Sequence, residues 1–255
     1  MSRVNYDEVA PTYNQRYADG EIDGVARHLF ALVKDLEAER VLEVGCGTGH
    51  WLHRLSPLLP EVCGLDLSRG MLSQMESREG LCRAQGRGGR LPFVDAAFDL
   101  VYCVNAIHHF EEQRAFVFEA RRLLRSCGAL AVVGSVPQGR FDSWYVYKYF
   151  PGTYATDLRR FPSWGTVLDW MVDAGFETAT LQLVRHVVDP KLGRAVLDDP
   201  FLQKNSASQL ILLSDEDYAE GLRRIRADLA AAEAAGENLV FNVDLKIYGL
   251  VGWCS

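Results

Sequence analysis

VLEVGCGTGH, residues 41–50, is a short apolar run followed by three glycines at alternate positions, Gly45, Gly47 and Gly49. Glycine has no Cβ atom, so the backbone can turn sharply there and come close to a ligand. The apolar run predicts a strand, and the residues after Gly49 predict a helix whose free N–H groups face the loop. The stretch therefore predicts a strand–loop–helix unit, and by itself it leaves open whether the loop holds a ligand or is only a tight turn.

The glycine spacing and a downstream carboxylate bear on which ligand the loop could hold. A dinucleotide fingerprint has the spacing G-x-G-x-x-G, whereas this chain has His50 at the sixth position. Asp66 closes the next predicted strand, where a carboxylate can accept hydrogen bonds from both hydroxyls of a ribose. Asp66 could instead cap the following helix, although Ser68 could already supply that cap. These features favour a ribose-containing ligand over a pyrophosphate.

Short apolar runs alternate with helical periodicity from residue 21 to about residue 136. The predicted strands are 41–44, 62–67, 81–85, 98–105 and 128–136, and the predicted helices are 21–37, the segment after Gly49, the segment around Met71, and 111–126, with Gly128 as the stop of the last helix. Strands that alternate with helices in this way predict a parallel sheet with helices on both faces. The polar side chain of Asn105 follows the fourth strand, at the edge where open sheets of this kind bind ligands.

The pattern changes after residue 136. Residues 137–164 are too rich in Phe, Trp and Tyr for an ordinary connection. Beyond them we predict a helix over 164–174, a strand over 177–189, a broken helical region over 191–213, a helix from Ser214 to Gly236, and a final strand over 238–253. The chain as a whole therefore predicts seven strands with helical insertions before and after the sixth.

Charge and composition exclude several classes of partner. The net charge is −7 and the isoelectric point is near 5.4, whereas nucleic acids and anionic membranes require a dense cationic face. The local run Arg121, Arg122 and Arg125 is interpreted as a solvated helix face. No apolar run reaches the roughly 18–20 residues that span a bilayer, and the N-terminus lacks the apolar segment of a signal peptide. We expect a soluble, cytoplasmic protein with no nucleic acid or membrane partner, as a monomer or a homodimer.

The six cysteines show no C-x-x-C spacing. Cys63, Cys82 and Cys103 fall inside apolar, strand-like runs, so they are predicted to be small buried hydrophobic residues. The sequence therefore predicts neither a disulfide framework nor a metal site.

Four motifs together resemble a known family. They are VLEVGCGTGH, VCGLDLSRGML, LPFVDAAFDLVYCVNAIHHF and the helix that follows, with ARRLLRSCGALAVV. In their order and spacing they are similar to class I S-adenosylmethionine-dependent methyltransferases, and most of all to the type 11 group that includes ubiquinone and menaquinone methyltransferases. The resemblance covers roughly residues 5–136. It implies a three-layer αβα, Rossmann-like, seven-stranded and mostly parallel sheet whose last strand is antiparallel, in one methyltransferase domain over residues 1–255.

The resemblance also implies cofactor-binding residues for S-adenosylmethionine and its product S-adenosylhomocysteine. Asp66 would accept from the ribose hydroxyls, and the backbone of the three glycines would let the cofactor lie close. The remaining implied contacts are Glu43 and Asn105 near the amino-acid part, Leu67 and Met71 beside the adenine, Gly88 through its N–H, and Tyr13 over the cofactor carboxylate. Tyr13 lies in a leading segment, residues 1–20, that would cover the cofactor, although it could equally be a core aromatic residue.

Two departures from the family pattern stand out. The family usually has an acid where this chain has Arg87, and that acid accepts a hydrogen bond from the adenine amino group, which an arginine cannot do. A backbone carbonyl would have to replace it, or cofactor affinity would be lower. The family's Pro-Gly-Gly before the fifth strand is Ser126-Cys127-Gly128 here, which we expect to be tolerated because Gly128 keeps the helix stop.

Methyl transfer from a sulfonium is an in-line displacement, so the protein mainly supplies position and a dry site. If the acceptor must lose a proton, a base is needed, and His108 is the first candidate, ahead of His109. Segments 137–164 and 190–236 are predicted to form a helical lid over the acceptor, with Trp144, Tyr145 and Tyr149 facing it. Such aromatic residues favour a flat or apolar small molecule. Polar residues in 202–214, such as Lys204 and Gln209, could orient it.

Three hypotheses remain open from the sequence. The preferred one is a small-molecule methyltransferase. A nicotinamide-dependent oxidoreductase is the alternative enzyme, although His50 and the lack of a Tyr-x-x-x-Lys motif after the fifth strand argue against it. A catalytically silent cofactor-binding protein is the third, and Arg87 is the feature that favours it.

Overall fold

The apolar runs of the N-terminal half form the parallel strands of one sheet. The computed structural model describes residues 4–16 and 24–255. Five strands occupy this half, namely β1 (Arg40–Val44), β2 (Glu61–Asp66), β3 (Leu81–Gln85), β4 (Phe98–Val104) and β5 (Leu124–Gly134). Nearly all side chains of β1 and β4 are buried, because helices cover both faces of a parallel sheet.

Two long strands from the C-terminal half complete the sheet. They are β6 (Thr178–Val188) and β9 (Asp244–Trp253), and the strand order is β3-β2-β1-β4-β5-β9-β6. The pairs among β1 to β5 are parallel, whereas β5 and β9 are antiparallel. The prediction of a seven-stranded, mostly parallel, Rossmann-like sheet is confirmed. Two short strands, β7 (Lys191–Leu192) and β8 (Val240–Phe241), pair separately and were not predicted, because two residues carry no periodicity.

Helices cover the sheet, and alternate side chains of each strand enter two apolar cores. The helices of this part are α1 (Tyr6–Val9), followed by a 3-10 helix (Ala10–Arg16), and α2 (Gly24–Asp35), α3 (His50–Leu55), α4 (Arg69–Gln74), α5 (Gln113–Leu123) and, later in the chain, α8 (Trp164–Ala174). Val41 and Tyr102 belong to the core beneath α2 and α3, and Leu42 and Val101 to the core beneath α5 and α8. The predicted start of α2 at residues 21–23, and residues 1–3 and 17–20 of the leading segment, lie outside the described residues.

The predicted end of α5 at Gly128 is wrong. The helix ends at Leu123, and Leu124 is already extended and buried as the first residue of β5. Gly128 lies within β5, next to Cys127, whose φ is +63°. Leu124 pairs with Phe98 on the neighbouring strand β4, so strand pairing ends the helix before any glycine is reached. The predicted final strand over 238–253 is likewise two strands, β8 and β9.

Two further sequence interpretations are wrong in part. Arg122 is not on a solvated face, because its guanidinium donates to the carbonyls of Leu91 and Phe93 and pairs with Glu119. Cys103 is buried as predicted, but Cys63 is only half-buried and Cys82 is exposed. Cys82 lies on β3, which has a single neighbouring strand in the sheet, so the apolar run there did not imply burial.

The chain divides into two units. The sheet unit comprises Asn5–Ser135, Pro162–Arg185 and Ile247–Ser255, and the insertion unit contains Val136–Phe161 and His186–Lys246. Helices of the insertion unit are α6 (Tyr145–Tyr149), α7 (Thr153–Arg160), α9 (Ser208–Ile211) and α10 (Asp215–Ala235). Ser214 caps α10 and Gly236 ends it, as predicted. Across the described ranges, each helix is either too short or too polar to cross a membrane.

Candidate active site

The glycine loop after β1 adopts a conformation that side chains rarely allow. Gly45, Gly47 and Gly49 all have positive φ, at +76°, +54° and +83°. A Cβ atom on Gly45 would lie 2.6 Å from the Cβ of Ala106, and one on Gly49 would lie 2.8 Å from the Cγ of Met75. Two of the glycines are therefore required by both backbone conformation and packing.

Gly47 is different, because the space that a Cβ atom would occupy there is nearly open. The nearest atom to a Cβ built there is the Cε1 of Tyr13, at 3.7 Å. Tyr13 is half-buried, and its ring lies edge-on to the ring of Tyr6 with 6.2 Å between the centroids. Gly47 therefore exposes its backbone beneath an aromatic ring, and a flat or extended ligand could use the open space there.

Asp66, the last residue of β2, lies against this loop. Its Oδ2 accepts from the backbone N–H of Gly47 and its Oδ1 from that of Ser68, each at 2.8 Å. Burial raises the pKa of the Asp66 carboxyl above its ordinary value, and the N–H groups of Ser68 and Gly47 oppose that rise. Ser68 caps α4 by accepting from the Met71 N–H, so the cap does not require Asp66. Each carboxylate oxygen keeps capacity for a further donor.

Glu43 lies beneath the loop as the penultimate residue of β1. Its side chain is almost fully buried, and the hydroxyl of Tyr102 donates to its Oε2 at 3.2 Å. Burial raises the pKa of Glu43 well above its ordinary value, although the hydrogen bonds from Tyr102 and from the Leu52 backbone favour the charged form. Through Leu52, Glu43 ties β1 to α3 and so helps to order the loop between them.

The exit of β4 brings three of the predicted polar residues, Asn105, His108 and His109, to the same edge of the sheet. Asn105 is exposed and has a φ of +50°, a left-handed conformation that asparagine tolerates better than most residues. His108 and His109 follow in a 3-10 turn, with 4.0 Å between their ring centroids. The Nε2 of His109 hydrogen-bonds the hydroxyl of Tyr6 at 2.8 Å. His109 is therefore bonded directly to the N-terminal segment.

The N-terminal segment is held to this edge by contacts that sequence reasoning missed. Asp7 accepts from the Ser68 hydroxyl at 2.7 Å and from the Gly70 N–H at 2.6 Å, and these two bonds lower its pKa. The Thr48 hydroxyl donates to the side chain of Asn14 at 2.5 Å. With Tyr6 on His109, residues 6–14 are attached to three loops of the sheet edge. The only sequence signal was the resemblance of the leading segment, residues 1–20, to one that covers the cofactor.

The residues after β3 meet the turn after β4. A Cβ atom on Gly88 would lie 3.0 Å from the ring of Phe110, and one on Gly45 would lie 3.3 Å from the same ring. Arg87, which stands where an acid was expected, forms an ion pair with Glu111. Both charged side chains are about half exposed or more, so the pair adds little to stability. Phe110 thus lies between the glycine loop and Gly88, and it was not predicted.

Leu67 and Met71 differ in how accessible they are. Leu67, next to Asp66, is 37% exposed, whereas Met71 on α4 is 1% exposed. Leu67 can therefore offer its side chain to a ligand beside Asp66, while Met71 supports the same segment from within the core.

A family model described as a methyltransferase domain matches residues 42–132, which contain the glycine loop, Asp66 and the exit of β4. The matched segment is a methyltransferase domain. It is 31% identical over 128 residues to the uncharacterized methyltransferase YcgJ of Bacillus subtilis, covering 47% of this chain and 51% of YcgJ. It is also 26% identical over 201 residues to the demethylmenaquinone methyltransferase of Thermotoga maritima, covering 68% of this chain and 87% of that enzyme. The chain thus spans only about half the length of the first of these relatives.

Solved structures agree on the fold of the methyltransferase domain. A proposed methyltransferase from an antibiotic biosynthesis pathway of Anabaena variabilis superposes with a TM-score of 0.69 at 19% identity, over 89% of this chain and 96% of that one. At this identity the likeness shows the fold alone. Two further solved structures with this fold, of phosphoethanolamine N-methyltransferase 2 from Haemonchus contortus, are complexes with S-adenosylhomocysteine and with S-adenosyl-L-methionine. Both are 15% identical to this chain, with TM-scores of 0.59 and 0.58 over 97% of this chain and 57% of the other.

The residues at the edge fit that cofactor. Asp66 has the acceptor capacity that two ribose hydroxyls need, and the bare backbone at Gly47 provides close approach. The ring of Tyr13 lies beside Gly47, where a cover was expected. The methyltransferase domain therefore has the donors, acceptors and open space that an adenosine with an amino-acid tail requires.

The three predicted acceptor-facing aromatic residues lie in the core of the insertion unit. Trp144, Tyr145 and Tyr149 are all buried. The hydroxyl of Tyr145 donates to Asp199 and that of Tyr149 to Asp228, each at 2.8 Å. The ring of Trp144 lies edge-on to Tyr147, whose own hydroxyl donates to Asp157 at 2.9 Å. These contacts give the rings fixed orientations within the unit.

The polar residues of segment 202–214 also find partners inside the insertion unit. Lys204 pairs with Asp215, and the side-chain amide of Gln209 donates to Asp157 at 2.6 Å. Ser208 accepts from Arg160 at 2.8 Å. The structure therefore supplies a packing and hydrogen-bonding role for each of them, alongside the predicted role of orienting an acceptor.

Proposed function

We propose that this protein transfers the methyl group of S-adenosylmethionine to a small apolar or aromatic acceptor. The observation that carries the proposal is the Asp66 carboxylate, held between the N–H groups of Gly47 and Ser68 beside a loop whose three glycines all have positive φ. This arrangement lies inside the segment that matches the methyltransferase family. A carboxylate with spare acceptor capacity, next to bare backbone, suits a ribose and its extended substituent.

Binding roles follow from position. Asp66 would accept from the two ribose hydroxyls, and Gly45, Gly47 and Gly49 would let the backbone approach the cofactor. Glu43 and Asn105 would lie by the amino-acid part, with Tyr13 covering its carboxylate. On the adenine side, Leu67 offers an accessible apolar side chain, Met71 supports it, and Gly88 offers its N–H. The ring of Phe110 lies against both Gly45 and Gly88, so Phe110 would support the adenine side of the site.

The reaction requires little covalent chemistry from the protein. When bound, S-adenosylmethionine would supply a reactive methyl group carried on a positively charged sulfur. The chain's own residues orient the acceptor, exclude water and take a proton where the acceptor carries one. We assign the proton-accepting role to His108 Nε2 or Nδ1. His109 is a positioning residue, because its Nε2 is engaged by Tyr6.

The acceptor class rests on the insertion unit and on one relative. Trp144, Tyr145 and Tyr149 form an aromatic cluster whose orientations are fixed by Asp199, Asp228 and Tyr147. We propose that segments 137–164 and 190–236 act as the acceptor lid. The Thermotoga relative, of which this chain covers 87%, is named for the small molecule demethylmenaquinone. A small molecule with a flat ring is the acceptor that these features favour.

Turnover tests the proposal. The purified chain is incubated with S-adenosylmethionine and a panel of small phenols, hydroquinones and aromatic acids, and formation of S-adenosylhomocysteine is measured. We expect acceptor-dependent formation by wild type and by Asp169→Ala, which alters an exposed aspartate of α8, and loss of most activity in Asp66→Ala. Acceptor-dependent reduction of NAD or NADP by the chain would instead favour an oxidoreductase. Binding of S-adenosylmethionine without formation of S-adenosylhomocysteine, whichever acceptor of the panel is added, would favour a catalytically silent protein.

His108 has its own test within this assay. His108→Ala should lower the rate constant with an acidic acceptor, and the loss should shrink as pH rises and more acceptor ionises unaided. Undiminished activity of the folded variant would exclude His108 as the base.

A further inference from the structure

Two cysteines of the sheet unit lie side by side on neighbouring strands. Cys63 on β2 and Cys82 on β3 are direct partners in the parallel register of the two strands. Neighbouring strands lie about 4.8 Å apart, within the Cα separation of about 4.4–6.8 Å that a disulfide needs. The two thiols are also close enough to share a hydrogen bond. Paired residues of parallel strands point to the same face, so both sulfur atoms lie on one side of the sheet.

The two thiols differ in access. Cys82 is exposed and Cys63 is half-buried, whereas Cys46, Cys103 and Cys254 are buried. β3 has β2 as its one neighbour in the sheet, so this part of the sheet is an edge. Solvent therefore reaches Cys82 first, with Cys63 directly behind it. A pair made of one exposed and one sheltered thiol has the arrangement of an attacking and a resolving cysteine.

We propose that Cys63 and Cys82 form a reversible oxidation site, a dithiol that a peroxide or a small disulfide converts to an intramolecular disulfide. The site is independent of the proposed methyl transfer. It rests on the register of β2 and β3, the contact of the two thiols and the exposure of Cys82.

The chemistry balances with a peroxide as oxidant. The Cys82 thiolate attacks one peroxide oxygen, forming an S–O bond as the O–O bond breaks, and the leaving hydroxide becomes water. The Cys63 sulfur then attacks the Cys82 sulfur, forming the S–S bond as the S–O bond breaks, and a second water leaves with the Cys63 proton. Two thiols lose two electrons, and hydrogen peroxide is reduced to two waters.

The environment of Cys63 sets the order of these steps. Burial, and then the hydrogen bond with Cys82, raise the pKa of Cys63 to about 12, so Cys63 stays a protonated thiol while Cys82 reacts. The closing step should therefore be faster at alkaline pH.

The disulfide would enclose a functional segment. Residues 64–81 lie between the two cysteines and include Asp66, Ser68 and all of α4. Beyond the pair, the side-chain amide of Gln85 donates to the Leu67 carbonyl at 3.1 Å, so β3 already contacts the loop that follows Asp66. Closing the loop would restrain the segment that carries the cofactor-binding carboxylate, since a cross-link removes conformations from the unfolded chain and limits local opening.

Peptide mapping of the folded, full-length chain tests the proposal. The protein is treated with hydrogen peroxide, and separately with oxidised glutathione, then alkylated and digested with trypsin. Cleavage after Arg54, Arg69, Arg78 and Arg83 gives residues 55–69 with Cys63 and residues 79–83 with Cys82. We expect these two peptides to be joined, with the loss of two hydrogen atoms, and to be separated again by dithiothreitol. The cross-linked chain should also melt at a higher temperature than the reduced chain.

Conservative variants provide the controls. Cys63→Ser and Cys82→Ser should each abolish the cross-link and the rise in melting temperature, while Cys127→Ser, which removes the other exposed thiol, should keep both. Recovery of Cys82 as a glutathione adduct or sulfinic acid, with Cys63 still a free thiol, would overturn the proposal. A cross-link that forms only in urea would overturn it too, because the pair would then not meet in the folded chain.

Discussion

Replacing Asp66 with alanine should weaken binding of S-adenosylhomocysteine about 100-fold. Each Asp66 oxygen already accepts one backbone N–H at 2.8 Å, which leaves one further acceptor position per oxygen for the two ribose hydroxyls. A hydrogen bond to a charged group contributes about 1.5 kcal/mol at the lower end of its range, so two such bonds contribute about 3 kcal/mol. Since about 1.4 kcal/mol corresponds to tenfold in affinity, the loss is about two orders of magnitude.

Calorimetric titration of the purified variants measures this loss. Asp169→Ala is the matched control, because it removes an exposed aspartate of α8 within the same unit and should leave the dissociation constant unchanged. A melting curve checks that Asp66→Ala is folded, since the variant leaves the N–H groups of Gly47 and Ser68 without their acceptor. An unchanged dissociation constant in folded Asp66→Ala would refute the ribose role.

The pH dependence of the same titration is a second readout. Burial raises the pKa of Asp66, so its carboxylate takes up a proton at a higher pH than an ordinary aspartate does. Wild-type affinity should therefore fall as pH is lowered toward that raised pKa, while the weak binding by Asp66→Ala should lack this dependence. Parallel pH profiles for the two proteins would contradict the assignment.

Three further predictions concern the surrounding structure. Asp7→Ala should weaken cofactor binding several-fold, mainly through faster dissociation in stopped-flow measurements, because the N-terminal segment loses both bonds to Ser68 and Gly70, and Glu8→Ala should not. Gly45→Ala should destabilise the fold by about 1–3 kcal/mol in urea denaturation, from its positive φ and the contact with Ala106, whereas Gly139→Ala, with positive φ but nothing nearby, should cost less. Burial lowers the pKa of His28, so the unfolded state binds the proton more readily than the folded state does. The free energy of unfolding should therefore fall as pH drops below about 6.5. An equally steep fall in His28→Gln would show that another group is responsible.

Elements with strong periodicity were predictable from the sequence. β3 has the predicted bounds, and α8 and α10 end at Gly175 and Gly236 as expected, because glycine in the left-handed conformation is a local signal. The end of α5 was not predictable in this way, because pairing of Leu124 with Phe98 across the sheet decides it. The ends of α8 and α10 depend on local conformation and were predictable, whereas the end of α5 depends on pairing with another strand.

The candidate site shows the same division. The glycine loop and Asp66 were identified because residue type and spacing are visible along the chain. The bonds of Asp7 to Ser68 and of Tyr6 to His109 join residues 61 and 103 positions apart, and no periodicity reports such a contact. Exposure of Cys82 likewise depends on β3 being an edge strand. Aromatic abundance identified the insertion unit, but the pairing of Tyr145 with the buried Asp199 and of Tyr149 with Asp228 required the structure.

Direct titration of the wild-type chain with S-adenosylhomocysteine, compared with NAD under the same conditions, tests the central claim most directly. We expect one molecule of S-adenosylhomocysteine to bind per chain, far more tightly than NAD, because the loop has His50 where a dinucleotide site has glycine and Asp66 is placed for a ribose. Failure to bind S-adenosylhomocysteine at millimolar concentration, or tighter binding of NAD, would contradict it.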